Sequence, residues 1–497
     1  MAITIEKSPE YLTAVYNEVV AVVISSNATQ SNFNFVADVY KTFDSVLVPD
    51  ELLAVVKFPV NPEGYGVLDI HKHLQTQISD DFDPTSKGVK HAPKTYTKYR
   101  VDFKEEFRPE WAFLDNGGSP QLRLFGLEDP TDYLNVGDEI IVAQAPGFTN
   151  PAYNGTTTIS SFYYDAAYEG WVIVTTKAFT VSGFNAGGTV TLSNYDSVRT
   201  ATLASISSQV SFNGVLTFDE FINWDYTIYD AGNNSAKFVT QMPEEYVVRR
   251  HSKLFLNMFS KVDGYLNFVK IRVGNNTYYI RNFLVGGTRD FFNVALGPDQ
   301  INSSNVLLFQ GASGYIPATQ PVIPSSATEY SVGVTPDPEL LDSITLTKIK
   351  IEDACSKYED VQLLVMDKLG SFIPFHFDLV NRHTLNVKKT SYQTDYGKYA
   401  SASNSWDYKS WDRGARALDT EVTESYTITS NWVDQELGDL MMTILDSPEV
   451  YWVQEDGTVT GISLTVNSVE RKQTINDQLI NYTFSFNLAN KNKKQLG

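Results

Sequence analysis

The 497-residue chain carries 39 Lys and Arg against 59 Asp and Glu, and this net charge of −20 argues against a protein that grips nucleic acid through phosphates or docks on an anionic membrane. Hydrophobic residues make up 42% and charged residues 20%, the mixture of a folded protein rather than a disordered one. One core does not normally grow to this size, so roughly three or four domains are expected.

Aromatic residues reach 13%, with 28 Tyr and 29 Phe, which favours strands because flat rings pack well on a pleated, half-buried surface. The expected fold is therefore mainly β and multidomain, with β-sandwich and small β-barrel modules and a carboxy-terminal α+β domain. The single Cys355 cannot form an intramolecular disulfide, and no CxxC or Cys/His cluster offers a structural zinc site. The opening MAITIEKSPEYLTAVYN lacks the pattern of a secretory signal, and no run of about 18 apolar residues suggests a spanning helix.

In chain order, YLTAVYNEVVAVVI (11–24) reads as a core-crossing strand, and SSNATQSN turns the chain. NFNFVADVY (32–40) alternates with period two, and LLAVVKFPV adds a third strand. The NPEGYG turn then hands over to VLDIHKHLQTQI, a short helix or edge strand. These elements compose a β-sandwich over 1–110. Residues 111–195 hold four or five short strands separated by turns such as NVGD and Asn154-Gly155, the pattern of a small barrel that could be an insertion. A further β-rich domain is expected over 196–320. Residues 321–338 are Pro/Ser-rich and read as a linker or arm; with the preceding GYIPATQ they offer Tyr315, Ile316, Val322 and Ile323 as apolar anchors for another chain. The domain 339–497 contains one clear helix near 431–446, capped by Ser430 or Asn431, with Val433, Leu437, Leu440, Met441 and Ile444 on its apolar face.

Few residues point to chemistry. In a strand, His71 and His73 would share a face and could hold a metal, but no third ligand accompanies them, so exposed polar residues are the expectation. His376 and Asp378 would share a face in the same way, and a cross-strand polar contact outweighs a catalytic dyad. Asp80, Asp81 and Asp83 lack the Gly and distal Glu of an EF-hand loop and read as a solvated acidic loop. The glycines of NAGG and LVGGT match no phosphate-binding loop, and neither GxSxG nor HExxH occurs. No catalytic, cofactor-binding or metal-ligating residue is assigned, so no enzyme and no cofactor are expected.

Three stretches resemble virion proteins of tailed bacteriophages of Bacteroidota, including crAss-like phages. The first is SPEYLTAVYNEVVAVVISSNATQSNFNFVADVY with FPVNPEGYGVLDIHKHLQ; the second is GLEDPTDYLNVGDEIIV with PAYNGTTTI; the third is TSNWVDQELGDLMMTILDSPEVYW with ISLTVNSVERK and YTFSFNLANKNK. A glycine-rich strand of the family stands here as FKEEF (103–107), a departure that blurs the neighbouring border. The resemblance implies a structural subunit of the virion, a tail, baseplate or neck component assembled in the host cytoplasm. Its partners would be other virion proteins and further copies of itself, without specific nucleic-acid binding or membrane insertion. The alternative is a receptor-binding or glycan-binding virion protein with a host surface glycan as partner and hydrolase activity as an added option.

Overall fold

The computed structural model describes residues 3–30, 32–43, 48–107, 110–115, 121–124, 134–144, 155–166, 170–176, 188–192, 198–233, 236–261, 268–281, 290–301, 307–309, 315–317, 321–336, 346–353, 358–465 and 480–490. The fold is mainly β, and among these residues the longest helix is the seven-residue Gln435–Met441. None is long and apolar enough to cross a membrane. The chain forms two compact units, Met1–Gln77 with Thr97–Ser211, and Ile78–Tyr96 with Phe212–Gly497.

In the first unit a three-stranded antiparallel sheet (Ile3–Lys7, Val20–Ser25, Tyr65–Asp69) lies on a larger sheet ordered Leu12–Ala14, Ala204–Phe212, Tyr96–Phe107, Asn34–Lys41, Glu51–Phe58. Close approach depends on Gly66, where a Cβ would come within 2.3 Å of the Phe35 ring. Phe35 in turn stacks on Phe58 at 5.4 Å and meets Phe33 edge-on at 4.9 Å. The two acids of FKEEF are tolerated inside a strand because each is paired. Glu105 is fully buried and accepts hydrogen bonds from Ser25 Oγ (2.6 Å) and Asn27 Nδ2 (2.9 Å). Glu106 pairs with Lys57 and with Arg199 (2.8 Å), while Lys104 reaches Asp38 at 2.6 Å.

The barrel belongs to the same unit. Strands close in the order Gln121–Leu124, Gly170–Thr175, Gly155–Asp165, Glu139–Gln144, Gly188–Leu192, Glu110–Asp115, around Leu122, Leu134, Ile140, Val142, Ile159, Ile173 and Val190. The turn read in NVGD is present, with Gly137 at φ +100° and Asp138 N–H donating to the Asn135 carbonyl at 3.1 Å. The sandwich does not close near residue 110, because Val198 and Arg199 pair with Phe107 and Glu106 and the strand Ala204–Phe212 completes the larger sheet. The barrel is thus inserted into the sandwich, and the domain expected to start at 196 loses its first segment to it.

The second unit is a sandwich of two large sheets. One has ten strands in the order Arg382–Gln393, Ala415–Thr429, Thr483–Leu488, Val459–Leu464, Val450–Val453, Val361–Met366, Phe372–Phe377, Phe255–Ser260, Asp290–Ala295, Gly88–His91. The other has seven, ordered Glu245–Val248, Thr347–Ile351, Glu329–Thr335, Phe268–Val273, Asn276–Arg281, Leu307–Phe309, Tyr315–Pro317. Their common core joins Leu256, Met258 and Val294 to Ile271, Val332 and Ile349.

That core corrects the reading of 321–338 as a linker between domains. Residues Glu329–Thr335 are a sheet strand, and Val322 and Ile323, 1% and 2% exposed, are buried in the chain's own core. The described parts of 212–320 and 339–497 therefore share one core across this segment. The carboxy-terminal helix is present as two short pieces, Gln435–Met441 and Thr443–Asp446, whose Leu440, Met441 and Ile444 enter the same core with Val433 and Leu437 at its margin. Its cap is Asp434, which accepts from Leu437 N–H at 2.9 Å; Ser430 instead accepts the Tyr482 N–H at 2.9 Å and is buried.

Candidate functional site

Two features of the second unit stand out from its sandwich. One is a hairpin. Strands Arg382–Gln393 and Ala415–Thr429 pair from Arg382↔Thr427 to Gln393↔Ala415, and among the described residues Ser425–Thr429 are the part held by the next strand, Thr483–Leu488. Among the described residues the rest, about nine residue pairs or roughly 30 Å, pairs with no third strand, and Arg382–Gln393 are exposed throughout. At its far end a smaller hairpin, Lys398–Ala400 with Ser405–Asp407, carries Tyr396, Tyr399, Trp406, Tyr408 and Trp411, all exposed, Trp411 to 73%.

This tip is ordered by its own contacts. Trp406 Nε1–H donates to the Tyr396 carbonyl at 2.9 Å, and the Tyr396 and Tyr408 rings lie 5.6 Å apart. Gly397, at φ +95°, is required because a Cβ there would come within 2.5 Å of Trp406 Nε1. The apolar anchors expected from the sequence lie elsewhere in the chain. Val322 and Ile323 are core residues and unavailable as anchors. Tyr315 and Ile316 lie in a strand paired with Leu307–Phe309, and their side chains fall outside the described residues. Cys355 also lies outside them.

The other feature is a polar cleft of about 850 Å³. It forms where the turn before strand Phe255–Ser260 meets the ends of neighbouring strands. In that turn Ser252 N–H donates to the Arg249 carbonyl at 3.0 Å and Arg249 N–H to Ser252 Oγ at 2.8 Å. Ser252 Oγ lies 2.8 Å from His376 Nε2, and His376 Nδ1 lies 2.8 Å from Asp360 Oδ2. The pairing of His376 with Asp360 follows from register. Gln362 lies opposite His376, so Asp360, two residues back, is the diagonal neighbour on the same face. Because ionised Asp360 can only accept, the proton between them sits on His376 Nδ1, and Nε2 of the neutral ring is then left to accept from Ser252 Oγ–H.

Burial works against the Asp360 charge, yet the hydrogen bond and charge of His376, with the Arg249 charge, hold its carboxyl below the ordinary range. Asp378, the partner the sequence suggested for His376, pairs with Arg249 at 2.8 Å. Arg250 binds Asp353 through Nε (2.9 Å) and Nη2 (2.7 Å). Lys253 Nζ donates to the Pro84 carbonyl at 3.0 Å, and desolvation lowers its pKa against the pull of Asp83. The relay can lock the turn in place and can also draw a proton from Ser252. No local motif marks it, since Ser252 and His376 are 124 residues apart.

The remaining candidates do not assemble into sites. His71 and His73 lie in the helix His71–Gln75, where a spacing of two puts them on different faces, and His71 Nδ1 bonds Asp69 at 2.7 Å. Asp81 and Asp83 face Lys90 at 3.9 and 3.5 Å, and Phe82 packs on Phe255, Phe372 and Tyr451. Among the described residues no group of three His, Cys, Asp or Glu could hold a metal ion. No protein-family model and no curated protein matches the chain.

Proposed function

We propose that this chain is a structural subunit of a tailed-phage virion, a tail, baseplate or neck component that acts by protein–protein assembly with other virion proteins and with further copies of itself. The observation that carries the reading is the exposed hairpin. A two-stranded ribbon is marginal alone in water, and its aromatic tip exposes large rigid side chains of the kind that anchor interfaces. Both features are understandable if another chain of the particle covers the tip. The resemblance of three stretches to phage virion proteins supplies the setting.

The test is a phage carrying Tyr408→Ala with Trp411→Ala. Neither side chain supports the sandwich, so the isolated chain should melt as the parent does while incorporation into particles falls at least about tenfold, the loss expected when anchors costing more than 1 kcal/mol are removed. Normal incorporation would count against the hairpin as the assembly contact. A second reading, a glycan-facing virion protein, is favoured by one observation: the cleft is large enough for a sugar and lined with guanidinium and carboxylate groups suited to hydroxyls.

A further inference from the structure

We propose that Ser252, His376 and Asp360 form a hydrolytic centre for short-chain acyl esters of hydroxyl-rich alcohols. The order hydroxyl, imidazole, carboxylate, with both contacts at 2.8 Å, is the arrangement that activates a serine on unrelated folds, and geometry identifies it rather than chain order. Gln300 stands in the same cleft. Gln300 Oε1 is fixed by the N–H groups of Leu254 (3.0 Å) and Gly297 (2.9 Å), which sets the direction of Nε2. Gln300 is only 8% exposed, and Nε2 has no partner among the described residues. Gly297 lets the two groups come together, since a Cβ there would lie 2.1 Å from the Ser252 carbonyl oxygen and 2.6 Å from Gln300 Oε1.

The surroundings select the substrate class. Ser252 is 1% exposed, which leaves little room beside Oγ and favours the shortest acyl groups. The wider cleft offers Arg250, Asp353 and Asp456 to a polar leaving group, and few of its lining side chains, Pro84 and Val453 among them, are apolar. The choice of a hydroxyl-rich alcohol rests on the glycan-facing reading of the cleft; the hydrolytic step does not.

In that step Ser252 Oγ bonds to the ester carbonyl carbon as its proton passes to His376 Nε2, and the carbonyl π pair moves onto oxygen. Collapse re-forms the carbonyl and breaks the bond to the alcohol oxygen, which takes the proton from His376. Water then adds to the acyl group, gives one proton to His376 and releases the acid, and that proton returns to Ser252. Asp360 stays ionised throughout and is a positioning residue.

The experiment treats the full chain with p-nitrophenyl acetate and, separately, with a methyl 6-O-acetylhexopyranoside, and maps acetylated residues by peptide mass spectrometry. An acetyl group on Ser252, with turnover that falls at least about a hundredfold in Ser252→Ala, is the expected result. Asp360→Asn should lower kcat with KM unchanged, a split that a merely structural contact would not give. Acetylation at Lys253 or elsewhere without Ser252, or no adduct and no turnover in the unaltered protein, would overturn the centre whether or not the variants fold. Turnover of p-nitrophenyl acetate alone would retain the centre and overturn the assigned leaving group. Particle incorporation is not measured, so these outcomes leave the assembly reading untouched.

Discussion

Asp367 shows how one buried carboxylate can set a pH dependence. It accepts from Thr240 Oγ1 (2.6 Å), Gln241 N–H (2.8 Å), Leu369 N–H (3.0 Å) and Ser371 N–H (2.8 Å), tying the turn before strand Phe372–Phe377 to a distant segment. Burial pushes its carboxyl from the ordinary 3.8 up to about 6, against the pull of those four donors. A carboxyl raised by folding favours the protonated folded state. Its stabilisation is therefore full below about pH 4 and fades as pH rises through about 6, by an upper bound of about 3 kcal/mol. Thermal unfolding followed across that window should show a decline in the parent chain that is flatter in Asp367→Asn; equal slopes would contradict it. Neither this residue nor the Ser252 relay was legible in sequence, for the same reason. Alternation suggests His376 with Asp378, which stand two residues apart at the end of strand Phe372–Phe377, but the actual partners Asp360 and Ser252 arrive through strand register and a turn, and neither is encoded locally.

Among the elements, the carboxy-terminal helix was the most readable because its apolar residues recur at helical spacing. Leu440→Ala should cost about 2–5 kcal/mol, since the side chain is buried with Met441 and Ile444 in the common core. Chemical denaturation gives this directly, and a cost below about 0.5 kcal/mol would mean that the face is not packed. Ser430 misled as a cap because its hydroxyl serves the Tyr482 backbone instead. The segment 321–338 misled through composition: prolines at 321 and 324 flank Val322 and Ile323, and the turn they shape sinks the pair into the core rather than extending it. The long hairpin escaped notice for the opposite reason, as RHTLNVKKTSYQ has too few apolar residues for a clear period-two signal. Its tip depends on Gly397. Gly397→Ala should disorder the Trp406 contact, read as a red shift of tryptophan emission, while the melting of the sandwich is retained; unchanged emission would show that the tip tolerates a side chain at positive φ.

At the scale of the whole molecule, the mainly β character followed from aromatic content and turn spacing, whereas the division into two interleaved units did not, because sheet partners far apart in sequence leave no compositional border. The barrel offers a direct test of that organisation. Phe107 and Val198 are paired, so the chain leaves and rejoins the sandwich at adjacent positions. Replacing 108–197 by a short Gly-rich turn should leave a soluble first unit with its sheet signal and a cooperative transition. Aggregation of the product would mean that the sandwich needs the barrel. The early excursion 78–96 has a temporal consequence. Strand Gly88–His91 is an edge of the ten-stranded sheet, and its partner Asp290–Ala295 is synthesised roughly 200 residues later, a wait of roughly 10–40 s at ribosomal speeds. During that interval the nascent strand has no sheet to join, and the growing first unit must fold around a loop committed to a neighbour that does not yet exist. Synonymous codons between these two strands should therefore alter the yield of native protein without changing a single residue.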